Sequence, residues 1–545
     1  VSVRPLRFGT IKEDRAMARR ALLWIALLAA ITHAVGIART SLPAQDGLKF
    51  LRVARDFQTR SPLQVIRGTD QHPLYPALIA LAEPPTRAVL GPGPDTWRIA
   101  AQGVSAIATI AVLWPLCAFA TAVFGPSTGA LAALLWALLP VPAEVGRDTL
   151  SDPVYVLFFA IAMACGERAI RTGRLTSYLG CGLAVGMGYW ARPEAAIVGA
   201  VVLGAASIDR LRGLTSWRDA ILNPVSTSLL ARPLPALALA FLVPVGAYAA
   251  VKGEVSEKLA LRSAVGLPSN HQRSQQEIAQ TADDPFRGFE PKEEDGRDGP
   301  MTGARALRWA LHAWAEGLGG ALAVVTLVAG WRLRSRSRAG RLLAGGYALA
   351  FGIVWVRHAS TFGYVSGRHA LTLVILSLPW AAAGLIAASG VVATWFRLRP
   401  DRSVMRRRVA IGALVLMGLC SQMRPAHASR AAHREAGLWL ANHCPAEGTI
   451  LDTRGWAAFF SGRDSYGPWH ARQAAADPRL AFVVVGDDEM TAPSCRGMVL
   501  RNWLQTRAEP AATFGPADGK GSSRSRVSVF RIVTMTALAP GARRR

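Results

Sequence analysis

Five short stretches of this chain bring acids together with arginine or histidine. Asp46 stands behind Gln45 and ahead of Gly47. The run Asp70-Gln71-His72-Pro73-Leu74-Tyr75-Pro76 follows, then Arg147-Asp148-Thr149-Leu150-Ser151-Asp152, Arg192-Pro193-Glu194 and Gly367-Arg368-His369. A carboxylate can take the proton of an attacking hydroxyl. A guanidinium can grip phosphate oxygens through parallel hydrogen bonds, and an imidazole changes charge near neutral pH. Each stretch also has a plain structural explanation. Asp46 could be a solvated acid at a helix end, Asp70 a turn residue beside Gly68 and Thr69, and His72 an interfacial ring. Asp148 and Asp152 compete as helix caps, with Pro153 suited to a first helical position. Arg192 and Glu194 could neutralise one another, and Arg368 could snorkel to the headgroups.

The elements that would position these residues are membrane helices. The chain has 545 residues, 51% of them hydrophobic and only 18% charged. Apolar runs at Ala21 to Ala38, Trp97 to Val123, Ser127 to Ala143, Pro153 to Cys165, Ser177 to Trp190, Ala195 to Ser207, Pro235 to Val251, Leu307 to Trp331, Leu342 to Val356, Ala370 to Trp395 and Val409 to Met423 predict about eleven spans. The first follows Arg15, Arg19 and Arg20 and reads as an uncleaved membrane helix. The net charge of +26 is gathered in short tracts beside such spans, Arg332 to Arg341 and Arg397 to Arg408 being the densest, and not along one soluble face. That excludes nucleic acid as the partner and points to anionic membrane lipids.

With the N terminus in the cytoplasm, the Arg168 to Arg174 segment, the Arg210 to Arg218 segment and both dense tracts fall inside, as the positive-inside rule requires. The outside set is then a long first loop, residues 39–96, the turns at Asp148 and Arg192, a polar loop from Lys252 to Arg305, the segment Arg357 to His369, and everything after Met423. All five stretches lie on that side, and ionisable groups gathered on one membrane face suggest a shared polar site. Within the Lys252 to Arg305 loop, the acidic, Gly-rich stretch Asp283 to Gly299 is expected to be mobile.

Four cysteines, Cys117, Cys165, Cys181 and Cys420, lie in apolar runs, where small buried side chains are the expectation. Cys444 and Cys495 fall in the polar C-terminal region, where an oxidising compartment would allow a disulfide. A helical stretch near Arg434 to Asn442 and β-like runs Gly448 to Asp452 and Ala481 to Val485 predict a small α/β unit. The expected organisation is a cytoplasmic segment 1–20, a membrane domain 21–423, an extracytoplasmic α/β domain 424–516 and a disordered tail 517–545. The predicted fold class is an all-α polytopic membrane domain with a small C-terminal extracytoplasmic α/β domain.

The order of an acid after the first helix, a His-Pro-Leu-Tyr-Pro box, a Leu-Ser-Asp-Pro turn, an Ala-Arg-Pro-Glu-Ala turn and a Gly-Arg-His re-entry resembles the GT-C glycosyltransferases, near the protein O-mannosyltransferase and aminoarabinose transferase branch. The resemblance spans Asp46 to Leu385. It implies an inverting transfer from a polyprenyl- or dolichyl-phosphate sugar to a glycan, lipid or protein acceptor on the outer face. It implies Asp46 as catalytic base and His72 and Arg368 around the lipid phosphate, with Arg192 and Asp152 supporting the cavity; Asp70, Asp148, Glu194 and His369 complete the candidate substrate-binding set. Two positions depart from the family pattern: Gly47 stands where many relatives have a second acid, and His72 where others carry a lysine. No metal site is assigned, although Asp46, Asp70 and Asp148 would suit a divalent cation if the fold gathered them. A secondary transporter or lipid flippase is the alternative from another class, and a scaffolding membrane protein the third.

Overall fold

The structure, a computed structural model, describes residues 11–211, 233–255, 301–363, 365–395, 412–413, 415–423, 425–491, 495–516 and 526–533. Among them six helices are long and apolar enough to cross a membrane: Ala16–Arg39, Pro94–Phe124, Asp152–Thr172, Leu234–Lys252, Arg338–Thr361 and Gly367–Ser389. Two bent pairs bring the number to eight at most. The apolar helices Leu175–Ala191 and Ala195–Leu211 pack among them but are shorter. Among the described residues the spans thus number six to eight by length and composition, and hydropathy does not register the two bends.

The run expected as one span at Leu307 to Trp331 turns by 103° between Gly303–Gly317 and Ala321–Arg332. Gly319 and Gly320 sit there at φ +71° and +69°, left-handed backbone that glycine adopts without a Cβ penalty. The run at Ser127 to Ala143 bends by 63° at Leu139. Leu139 is extended because the following Pro140 disfavours helical geometry in the residue before it. The basic tract from Arg397 to Arg408, the start of the Val409 to Met423 span and the Asp283 to Gly299 stretch lie outside the described residues.

Small side chains set how closely the helices approach. A Cβ on Gly182 would lie 2.4 Å from the Leu237 carbonyl oxygen, and one on Gly186 would lie 2.7 Å from Pro244. Two glycines one turn apart therefore let Leu175–Ala191 press backbone to backbone on Pro233–Lys252.

The first loop folds into three helices, Gly47–Thr59, Pro62–Gly68 and Leu74–Leu90. The last is the apolar helix expected behind the His-Pro box. It presents Leu81 and Val89 almost fully exposed and buries Tyr75 and Ile79, as an element lying along a lipid interface would.

The C-terminal region forms a five-stranded sheet in the order β2-β1-β3-β5-β4. Its strands are β1 (Thr449–Asp452), β2 (Ser465–Tyr466), β3 (Leu480–Gly486), β4 (Ala508–Phe514) and β5 (Val527–Ile532). The first three are parallel and the last two antiparallel to their neighbours, with Val484 opposite Val529. The helix Ala432–His443 covers one face through Ala436 and Leu440.

Two expectations are corrected here. The tail expected to be disordered from residue 517 includes β5, an interior strand whose Val527 and Val529 are fully buried. Alternation at Val527 and Val529 was masked by the Gly/Ser-rich residues ahead of it. Cys444 is a free, buried thiol with its Sγ 3.8 Å from the Gly448 carbonyl, not half of a disulfide. The side chain of Cys495 lies outside the described ones.

The sheet region is docked on the first loop. Trp456 Nε1 donates to the Pro43 carbonyl at 2.8 Å, and Arg434 pairs with Asp95 at 2.8 Å. Arg55 lies between the rings of Trp97 and Phe459, 5.6 and 4.9 Å from their centres. Trp456, Phe459 and Phe460 join the same apolar core as the membrane helices.

Candidate active site

Asp46 occupies the residue before the helix Gly47–Thr59, yet its side chain does not cap that helix. It accepts instead from Arg368 Nη2 at 2.6 Å, across 322 residues of sequence. Arg368 is presented by a short 3₁₀ turn, Gly367–Ala370, held by a reciprocal box in which Ser366 and His369 bond one another's backbone or side chain. The Ser366 amide donates to His369 Nδ1 at 3.2 Å, which places the ring proton of a neutral His369 on Nε2.

Gly47 has a physical reason for departing from the acid pair. A Cβ there would lie 1.8 Å from Thr149 Oγ1 and 2.5 Å from the Thr149 carbonyl oxygen. The loop reaches its place only by laying bare backbone on the Thr149 turn, which leaves no room for a second carboxylate.

Beside the Asp46–Arg368 pair opens a cavity of about 180 Å³ whose lining includes Asp152, Arg192, Glu194, Arg368 and His369. Arg192, between the helices Leu175–Ala191 and Ala195–Leu211, bonds Asp152 at the start of the next-but-one helix back and pairs with Glu194 at 3.2 Å. A guanidinium so buried is tolerable because two carboxylates flank it. The lining also includes the aromatic side chains Tyr155, Phe351, Trp355 and His358. Trp355 Nε1 is buried with no acceptor among the described residues, so the wall holds a donor for a bound ligand to satisfy.

Asp46 itself is half exposed beside Arg368, its side chain 52% accessible. Burial of the surrounding loop pushes its carboxyl pKa up, but the Arg368 charge and hydrogen bond, with help from Lys49 and His369, hold it below the usual carboxylate range. It is an anion at neutral pH.

Five of the nine residues expected at the site therefore line one cavity, and Asp46 joins it through Arg368. Three do not. His72 is buried in an aromatic nest, stacked on Tyr248 at 5.0 Å and edge-on to Tyr189 at 5.4 Å, and does not line the cavity beside Arg368. Asp70 is exposed on the loop before it. Asp148 is buried and saturated: its Oδ1 accepts from the Ala44 and Thr149 amides, both at 2.7 Å, and its Oδ2 meets His427 Nε2 at 2.8 Å. Among the described residues no three acids, histidines or cysteines gather as a metal site, so Asp46, Asp70 and Asp148 do not form one.

Tyr155, Trp355, His358 and His427 were not singled out in the sequence. The first two are embedded in apolar runs and carry no signal of their own. His427 lies in a stretch whose only marker is the neighbouring Pro425 and Ala426.

The arrangement of helices, first loop and C-terminal sheet matches solved structures over nearly the whole chain. ArnT from Cupriavidus metallidurans in the apo state aligns over 94% of this chain and 98% of its own, with TM-score 0.57 and 13% identity. The same protein bound to undecaprenyl phosphate gives 0.56 and 12% over the same shares. The archaeal oligosaccharyltransferase AglB from Archaeoglobus fulgidus, in complex with an inhibitory peptide and a dolichol-phosphate, aligns over 98% of this chain and 76% of its own, with TM-score 0.54 and 12% identity. The chain shares the fold of these structures. Residues 95–237 also match the family described as dolichyl-phosphate-mannose-protein mannosyltransferase. No curated protein sequence gives a match.

Proposed function

We propose that this GT-C chain is a membrane glycosyltransferase that moves a sugar from a polyprenyl- or dolichyl-phosphate carrier to an acceptor hydroxyl. The reaction takes place on the non-cytoplasmic face, with the N terminus in the cytoplasm and the C-terminal domain outside. The observation that carries this reading is the Asp46–Arg368 pair at 2.6 Å, whose arginine lines the cavity. It sets a candidate base and a candidate phosphate-binding cation as neighbours, the two kinds of group that displacement of a lipid phosphate calls for. Support comes from the two structural neighbours described with undecaprenyl phosphate and dolichol-phosphate, and from the family match within the membrane domain.

The acceptor oxygen attacks the anomeric carbon from the side opposite the phosphate, its proton passes to Asp46, and the C–O bond to the phosphate breaks with its electron pair on the phosphate oxygen. The configuration inverts. A lipid phosphate leaves without a strong general acid and needs only charge stabilisation, which the Arg368 fork supplies. Arg368 depresses the basicity of Asp46, and a donor phosphate on Arg368 would draw part of that charge away and make the carboxylate a better proton acceptor. Arg192, fixed between Asp152 and Glu194, lends the wall a second cation without freedom to wander.

The cavity's charges sit at helix starts and in turns, not in the middle of spans: Asp152 begins its helix, Arg192 and Glu194 lie between two, and Arg368 is in the 3₁₀ turn. A transporter would place some at mid-membrane. The test incubates purified protein with radiolabelled polyprenyl-phosphate sugars and membrane extract, beside Asp46→Ala and Arg368→Ala. Label moving from lipid to acceptor in the wild type and lost in both variants is the expected result. Transfer that persists unchanged in Asp46→Ala removes the proposed base.

A further inference from the structure

The segment that delivers Asp46 is held at two consecutive residues by two different parts of the molecule. The Pro43 carbonyl accepts from Trp456 Nε1 of the C-terminal domain, and the Ala44 amide donates to Asp148 of the membrane domain at 2.7 Å. Asp148 is itself bonded at 2.8 Å to His427, which lies where the chain enters the C-terminal domain. His427 is the one non-glycine residue at positive φ among those described, at +56°. Backbone held in that region by surrounding contacts marks a position where geometry matters more than local comfort. On the far side of Asp46, Gly47 lies flat on Thr149, the residue after Asp148.

We propose that Asp148 and His427 are positioning residues, which clamp the Asp46 segment between the two domains and make the C-terminal domain part of the catalytic apparatus. This rests on the reading of Asp46 as the base. The argument is geometric. Asp46 is two residues beyond Ala44 and one before Gly47, so its Cα is bracketed by contacts to a single turn, Asp148-Thr149. The carboxylate of Asp148 spends both oxygens on this work and is only 5% exposed, which leaves none for a ligand. His427 holds the oxygen that Ala44 does not use, and so ties the turn to the domain whose Trp456 grips the adjacent carbonyl.

The experiment compares Asp148→Ala, Asp148→Asn and His427→Gly in the full chain, using undecaprenyl-phosphate sugars as donor with membrane extract. The asparagine keeps an oxygen for the two amides, and glycine suits the positive φ while deleting the ring. Because a 1 Å misplacement of a reacting group costs on the order of 10²-fold, Asp148→Ala is expected to lose about that factor in kcat. Roughly tenfold losses are expected for His427→Gly and less for Asp148→Asn, with donor KM within about twofold throughout. Hydrogen exchange in residues 42–48 is expected to quicken in Asp148→Ala and His427→Gly and to stay slow in Asp148→Asn.

A purely structural role would lower the melting temperature while kcat per folded molecule and exchange in that segment stayed at wild-type values, and this would overturn the proposal. Asp46→Asn is run alongside: activity retained there defeats the base assignment, whereas activity lost there but kept in all three clamp variants defeats the clamp alone.

Discussion

Asp148 and Asp152 leave one turn four residues apart and come to opposite ends. Asp148 is enclosed by three donors, two backbone amides and an imidazole, and holds protein to protein. Asp152 faces the cavity and shares Arg192 with Glu194. The same side chain is structural where backbone donors saturate it and available for chemistry where a side-chain cation and open volume meet it. Residue type and position along the chain do not separate the two cases; the surrounding donors do.

Breaking the open side should have the largest effect. Asp46→Asn keeps size and a hydrogen bond to Arg368 but removes the proton acceptor, and transfer is expected to fall about 10³-fold, within the range for loss of a general base. Single-turnover transfer with donor prebound would show the loss in the chemical step. Arg368→Lys retains charge but not the fork, so an increase of about tenfold in donor KM together with a fall in kcat is expected from steady-state titration of the lipid phosphate sugar. A change in KM alone would mean that Arg368 binds the donor without assisting departure.

Smaller effects test the fastened side. Gly47→Ala drives a methyl into Thr149, whose carbonyl cannot be trimmed away, and should lower stability by about 1–3 kcal/mol as overpacking does. Because the clash includes backbone, Thr149→Ala is not expected to rescue it in thermal unfolding. The smallest effect concerns pH. Burial lowers the pKa of His427, but the bond to Asp148 and the charges of Asp148 and Glu144 outweigh this and the repulsion from Arg147, so its pKa is raised above the ordinary 6.5. A raised pKa means the folded state binds the proton more tightly. The stabilisation is therefore full below the ordinary imidazole value and fades as pH rises through the raised one. Melting temperatures of wild type and His427→Gly should converge across that interval, and a constant gap would mean the ring is held by packing alone.

The parts that were legible share a cause. Asp46, Asp152, Arg192, Glu194, Arg368 and His369 could be grouped because charge alternation between loops assigned them to one side of the membrane, and that constraint survives ignorance of the helix count. His72 lies apart from the cavity lining because its surroundings come from Tyr189 and Tyr248 on distant helices, and no local pattern in the sequence announces those rings. The bend at Gly319 and Gly320 was passed over since hydropathy ignores backbone sign, although three glycines in four residues, with Gly317, were there to be read as a break. The role of Asp148 depends on the Ala44 amide and on His427, and no local pattern links the three.

Strand β5 lies between β3 and β4, so the sheet that carries Trp456 is complete only after residues as late as Ile532 have been synthesised. Trp456 in turn reaches back 413 residues to Pro43. A nascent chain thus exposes its first loop long before the partner that fastens it exists. Stopping translation just before β5 should leave every cavity residue present and the protein idle.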